Sequence, residues 1–135
     1  MMVSEQNPAQ VLGESGSIQV WHREKCLRSI ERPQGQIRVL FDCGAFEVVS
    51  IEIQPRSSLE EPYLWGETAI LVLSEGELMM EEGGDSYEVL RGDSIRSGKQ
   101  FRFRLVNRQP YRALLYGIIA KEEGQNPPPR EGGQQ

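Results

Sequence analysis

Short apolar runs separated by glycine, proline and polar residues fill the sequence between residues 17 and 120. Runs of this length, bounded by turn-forming residues, are typical of the strands of β-sandwiches and β-barrels. We therefore predict eight or nine strands from these segments: Ser17 to Arg23, Gln36 to Phe41, Phe46 to Gln54, Thr68 to Ser74, Glu77 to Glu82, Ser86 to Leu90, Asp93 to Arg96, Phe101 to Val106 and Tyr111 to Ala120.

Turn chemistry supports this division of the chain. Gly83 and Gly84 separate two apolar runs, and a two-residue glycine turn is typical of a β-hairpin because glycine accepts positive φ. Glu75-Gly76 and Gly92-Asp93 mark further reversals. Only Cys26 to Glu31 favours a short helical turn, so the fold class is all-β.

Two-residue periodicity indicates which side chains share a face. Phe101, Phe103 and Leu105 alternate with arginines, so one face of that strand is apolar. In Phe46 to Gln54 the apolar residues occupy even positions up to Val48 and odd positions from Val49 onward. This change predicts a β-bulge in the strand.

Two strands are apolar on both faces, namely Ala69 to Leu73 and Ala113 to Ile119. A strand of this kind must be covered on both sides. We expect the opposite sheet to cover one side and a second subunit or a terminal segment to cover the other. The pattern therefore predicts a homodimer.

The chain has 135 residues, which is enough for one domain with one core. Residues 1–16 and 121–135 are polar and rich in Gly, Pro and Gln, and Pro127 to Pro129 and Gly132-Gly133 cannot build a regular element. We expect both ends to be disordered tails around a domain at residues 17–120.

The formal charge of -5 argues against direct binding to nucleic acid, which requires a basic face. The charge is unevenly distributed. Ser57 to Leu90 holds nine acidic residues and no basic one, whereas Arg91 to Arg112 holds seven basic residues and one acidic one. These segments are either solvated faces that attract each other or a patch for an anion or an acidic protein partner.

Cys26 and Cys43 are too few and too isolated for a disulfide framework. Residues 1–16 lack the basic and apolar regions of a signal peptide, and no run reaches the roughly 20 apolar residues of a membrane span. We expect a cytoplasmic protein that does not bind membranes.

From about Ile51 to Ile119 the sequence resembles the cupins, a superfamily of small jelly-roll β-barrels. Ala69 to Gly76, continued by Glu-Leu, resembles the strand and turn that close the first cupin motif. Gly92 to Gly98, followed by Phe101, Phe103 and Asn107, resembles the second motif, G-x5-P-x-G-x2-H-x3-N. Arg96 replaces the proline of that motif, and Asn107 comes two residues late.

The resemblance also identifies the positions that hold metal ligands in cupins. The metal glutamate falls on Ala69, the first two histidines fall on Tyr63 and Trp65, and the third falls on Phe101. None of these residues supplies an imidazole or a carboxylate, so we expect no metal and no other cofactor. Glu67 shares the strand parity of Ala69, but one carboxylate does not make a metal site.

Aromatic residues thus replace a polar site, and two interpretations are open. They fill the barrel, as side chains do in most small barrels, or they line a cavity that holds a flat or sugar-like organic ligand. In the second case the Tyr63 hydroxyl and the Trp65 indole N–H are polar groups for the ligand. The predicted ligand-binding residues are Tyr63, Trp65, Glu67, Phe101 and Phe103.

Three functions follow as hypotheses. The first is a metal-free cupin-like module that dimerises, binds a small organic ligand and serves as a sensor or regulatory partner. The second is a metal-independent enzyme similar to sugar isomerases and epimerases; it needs an acid and a base, and the sequence offers Tyr63, Glu67 and one histidine, His22, on a different segment. The third is an interaction protein that uses residues 96–112. No catalytic residue is predicted.

Overall fold

The structure is a computed structural model that describes residues 18–20, 22, 25–65, 68–98 and 102–121. The predicted N-terminal tail lies outside these residues, as does the C-terminal one apart from Lys121. Of the first predicted strand, residues 18–20 and 22 form no regular element, and the rest lies outside the described part. No helix within the described ranges is long and apolar enough to span a lipid bilayer.

Antiparallel strands make up almost all of the regular structure. The larger sheet has the order β1-β2-β3-β10-β5-β8 and the smaller one the order β4-β9-β6-β7, so the two form an all-β jelly-roll sandwich. The strands are β1 (Arg28–Arg32), β2 (Gly35–Asp42), β3 (Phe46–Ile53), β4 (Ser57–Leu59), β5 (Ala69–Glu75), β6 (Leu78–Glu82), β7 (Asp85–Val89), β8 (Ser94–Ser97), β9 (Arg104–Asn107) and β10 (Ala113–Ala120), and a 3₁₀ turn spans Pro62–Trp65.

The core lies between the inner faces of the two sheets. β3 and β5 contribute alternate residues such as Ile51 and Leu71 from the larger sheet, and Leu105 and Met80 come from the smaller one. A fully buried side chain of this size contributes about 1.5 to 3 kcal/mol. The alternation predicted from the sequence therefore determines which faces meet.

Seven of the predicted strands correspond closely to β2, β3, β5, β6, β7, β8 and β10, and the predicted hairpin is confirmed. Glu82 pairs with Asp85 across Gly83 and Gly84, and Gly83 has a φ of 61°. The predicted segment Phe101 to Val106 contains β9, which starts later, at Arg104. The prediction of a helical turn at Cys26 to Glu31 is wrong, because β1 forms there and pairs with β2 in a hairpin.

The structure corrects the position of the predicted β-bulge. The register between β2 and β3 shifts between Val39 and Phe41, so the extra residue is Leu40 on β2. β3 keeps a regular alternation, with Glu47, Val49 and Ile51 on its inner face. The phase change in the sequence of β3 therefore arises because Glu47, a charged residue, occupies an inner position.

Candidate functional site

One row of inner-face residues crosses the larger sheet at the end of the barrel. Strand register places Glu47 of β3 beside Ile119 of β10, Ile119 beside Ala69 of β5, and Ala69 beside Ser97 of β8. All four residues are buried. Ala69, the position at which the resemblance places a metal glutamate, contributes only a methyl group to this row.

Glu47 is a buried carboxylate whose charge is neutralised within the chain. The residue is 6% exposed, and the Arg28 Nη2 atom lies 2.9 Å from each of its two carboxylate oxygens. The Tyr63 hydroxyl donates a hydrogen bond to Oε1 of the same group. Burial, and then the hydrogen bond and negative charge of Glu47, raise the pKa of Tyr63 far above its usual value. Tyr63 therefore stays protonated and acts as a hydrogen-bond donor.

The 3₁₀ turn Pro62–Trp65 holds both aromatic residues that replace the first two histidines. Tyr63 and Trp65 are half-buried and pack against the core. The Trp65 indole Nε1 donates to the backbone oxygen of Phe103 at 3.0 Å, and the Arg102 guanidinium lies 5.6 Å from the centroid of the Trp65 ring. The two polar groups considered for ligand binding thus already have partners within the chain.

A pocket of about 460 Å³ opens between β7 and β8, where the edges of the two sheets meet. This volume lies within the range of small-molecule sites. The lining residues are Met80, Glu82, Tyr87, Glu88, Val89, Asp93, Ser94, Ile95, Arg96, Ser97, Gly98 and Phe103. Of the predicted ligand-binding residues, Phe103 lines this pocket, and Glu67 and Phe101 lie outside the described residues.

The pocket has an apolar wall and one polar atom without a partner. Met80, Val89, Ile95 and Phe103 are buried and line it. Ser97 is 5% exposed, and its Oγ has no hydrogen-bond partner in the described part of the chain. An unpaired buried hydroxyl costs about 1 to 3 kcal/mol, so it is a rare feature in a folded protein.

Sequence reasoning missed Glu47 and Ser97. Glu47 shares the strand parity of Val49, Ile51 and Ile53, so the regular alternation of β3 was the signal that could have found it. Ser97 gave a weaker signal, its two-residue spacing from Ile95. Its burial depends on how the edges of two sheets come together, which no local pattern encodes.

The donors present do not fit a metal ion. Among the described residues, no group of three or more His, Cys, Asp or Glu side chains comes together. Glu47 is the carboxylate in the row of Ala69, and the Arg28 guanidinium beside it opposes the approach of a cation. A metal site usually needs three or four ligands at fixed geometry, and this row does not supply them.

Three arginines of the basic segment 96–112 pair with acidic residues of the same chain. Arg104 and Arg108 contact Glu81 at 2.7 and 3.4 Å, and Arg112 contacts Glu75 at 3.5 Å. These pairs agree with the interpretation that the charged segments attract each other across the fold. Exposed pairs contribute at most about 1 kcal/mol each, so the segment remains open to an acidic partner as a prediction.

The sequence matches no family model, and it matches no curated protein. Solved structures similar to the chain include a Cupin 2 conserved barrel domain protein from Salinispora arenicola, with a TM-score of 0.65, 14% identity, and coverage of 78% of this chain and 90% of that one. Another similar structure is the polyketide cyclase RemF from Streptomyces resistomycificus. Its TM-score is 0.63 at 19% identity, and the match covers 78% of this chain and 81% of that one.

A third similar structure is the Cupin_2 domain of an XRE family transcriptional regulator from Enterobacter cloacae. Its TM-score is 0.59 at 19% identity, and the match covers 67% of this chain and 99% of that domain. Likeness at such low identity concerns the fold, and it agrees with the two antiparallel sheets of this chain. This chain has the fold of the cupin superfamily.

Proposed function

We propose that this chain is a binding module that holds a small organic ligand in the pocket between β7 and β8 without a metal ion. The observation that carries the proposal is the pocket itself, which opens between the edges of the two sheets and has a wall of buried apolar side chains. Its volume of about 460 Å³ is sufficient for a small molecule.

The composition of the pocket supports an organic ligand. Met80, Val89, Ile95 and Phe103 form an apolar wall, and Tyr87 and Glu82 add polar groups. Small-molecule sites combine these features, an apolar lining and a few polar groups that fix orientation. The pocket replaces the aromatic site predicted from the sequence as the place of binding, and Phe103 is common to both.

The enzyme hypothesis receives less support. Tyr63 is hydrogen-bonded to Glu47, and its raised pKa makes it a donor rather than a base. The similar structures include a polyketide cyclase and a domain of a transcriptional regulator, so the fold is compatible with both catalysis and regulation. A regulatory role with a separate partner and a cytoplasmic location remain part of the proposal.

Binding can be tested with prodan, a neutral fluorescent dye whose emission shifts to the blue in apolar surroundings. We expect the purified protein to bind prodan equally well before and after treatment with EDTA, because no metal takes part. Ser97→Phe is expected to weaken this binding at least tenfold, because the new ring occupies the pocket. Elemental analysis of the same sample should find no stoichiometric transition metal.

Ser86→Phe is the matched control, because Ser86 is exposed on β7 and does not line the pocket. This variant should bind prodan like the unmodified protein, and circular dichroism should show that both variants are folded. The proposal is wrong if the unmodified protein does not bind prodan, if EDTA abolishes binding, or if the two variants bind equally.

We further propose that the outer face of the larger sheet pairs with the same face of a second copy. Ile70, Val72 and Tyr116 are neighbours on β5 and β10 and are 40, 41 and 45% exposed, although apolar groups dominate them. The face from β2 to β8 measures roughly 24 by 23 Å, which is a flat area of about 550 Å². Projecting side chains add to this accessible area, and stable interfaces bury roughly 800 Å² per partner. A two-fold dimer uses one patch twice.

Val72→Lys is expected to convert the dimer into a monomer, because two lysines would meet near the two-fold axis at the centre of the apolar face. Sedimentation velocity should give about twice the chain mass of 15.3 kDa for the unmodified protein and the single-chain mass for the variant. Leu90→Lys, at an exposed apolar position after β7, is the control and should remain dimeric. A monomeric unmodified protein, or a dimeric Val72→Lys variant, contradicts the proposal.

A further inference from the structure

We infer that the pocket between β7 and β8 selects an organic cation, that is, a ligand with an apolar body and an ammonium group. This inference rests on the proposed function and adds the charge of the ligand to it. It depends on the direction in which each charged lining residue projects, because strand residues alternate between the two faces of a sheet.

Glu82 is the charged residue of the pocket that lies on the inner face of a strand. It has the parity of Leu78 and Met80, both of which are buried on β6. None of the ion pairs within the described ranges involves Glu82. A half-buried carboxylate without an ion-pair partner among the described residues creates a negative potential at the mouth of the pocket.

The other charged lining residues do not compensate for Glu82. Arg96 also lines the pocket, but it alternates on β8 with the buried residues Ile95 and Ser97, so its side chain leaves the strand on the outer face. Glu88 alternates in the same way with Val89. The Asp93 carboxylate accepts a hydrogen bond from the Leu90 backbone N–H at 2.8 Å, so it already has a structural partner.

The uncharged lining residues complete a site for an amphipathic amine. Tyr87 pairs with Met80 across β6 and β7, so its ring lies on the inner face near Glu82 and can contact an ammonium group. Met80, Val89, Ile95 and Phe103 surround the space for an alkyl or aryl body.

Three probes of the same length separate charge from shape: hexylammonium, hexanoate and 1-hexanol. Titration followed by ligand-observed NMR at pH 7 should show that hexylammonium binds about tenfold more tightly than hexanoate, with 1-hexanol between them. Glu82→Gln should remove most of this preference and leave the affinity for 1-hexanol unchanged. Glu60→Gln is the matched control and should retain the preference, because Glu60 is exposed and does not line the pocket.

The outcomes distinguish a failure of the charge preference from a failure of ligand binding itself. If hexanoate binds as tightly as hexylammonium, or if Glu82→Gln and Glu60→Gln behave alike, the inference about charge is wrong while the binding pocket stands. If none of the three probes binds and prodan also fails to bind, the proposed function itself is wrong. Binding of 1-hexanol that Ser97→Phe abolishes locates the probes in this pocket.

Discussion

Replacing Gly117 by alanine is expected to destabilise the domain by about 3 kcal/mol or more, because the added methyl group has no space. A Cβ atom at this position would lie 2.0 Å from the backbone oxygen of Ile70 and 2.8 Å from the Cα of Leu71. Both contacts are with backbone atoms of β5, which cannot rotate away. Urea unfolding followed by tryptophan fluorescence measures the change.

Gly84→Ala is the control for this experiment. Gly84 lies in the hairpin between β6 and β7, no heavy atom lies within 4 Å of an added Cβ there, and its φ is not positive. Its urea midpoint should stay close to that of the unmodified protein. Equal midpoints for Gly117→Ala and Gly84→Ala would show that β5 and β10 do not approach as closely as the structure indicates.

The position of Gly117 also links strand pairing to the candidate site. Gly117 pairs with Leu71 on β5, and Leu71 pairs in turn with Ile95 on β8. Ile95 and Ser97 form one wall of the pocket. A variant that separates β10 from β5 should therefore reduce prodan binding as well as stability, whereas Gly84→Ala should affect neither.

The sequence predicted most of the strands because their signals are local. Short apolar runs bounded by turn-forming residues gave β3, β5 and β10, and paired glycines gave the hairpin between β6 and β7. β4 was missed because Ser57–Leu59 has three residues, two of them serine. β1 was mistaken for a helical turn because its residues are mostly charged and its conformation depends on pairing with β2.

The candidate site was predicted only in part, since it depends on contacts between distant segments. Phe103 was predicted as a ligand-binding residue, and it lines the pocket. Glu82 and Ser97 were not predicted, because they meet only where the edges of the two sheets come together. Glu47 was not predicted either, because a charged residue normally faces outward. Its inner position depends on Arg28 and Tyr63, which hydrogen-bond to its carboxylate from distant parts of the chain.

A second large loss of stability is expected for Asn107→Asp, by about 3 kcal/mol at pH 7. Asn107 is 1% exposed, and its Nδ2 donates to the backbone oxygens of Ile53, Gln54 and Tyr111 at 3.2, 3.1 and 2.8 Å. Its Oδ1 accepts from the Gln109 N–H at 3.0 Å. Aspartate has the same shape, but it places an anionic oxygen against these backbone oxygens, where the amide placed a donor.

Because the substitution preserves volume, the loss measures hydrogen bonding rather than packing. Gln54→Glu is the control, because it makes the same amide-to-carboxylate change in an exposed side chain close to Asn107. Its urea midpoint should change little, since an exposed charge is solvated by water. If both variants unfold at the same urea concentration, Asn107 does not hold the end of β9 to the corner between β3 and β4. The alignment of Asn107 with the asparagine of the second cupin motif would then lack a structural reason.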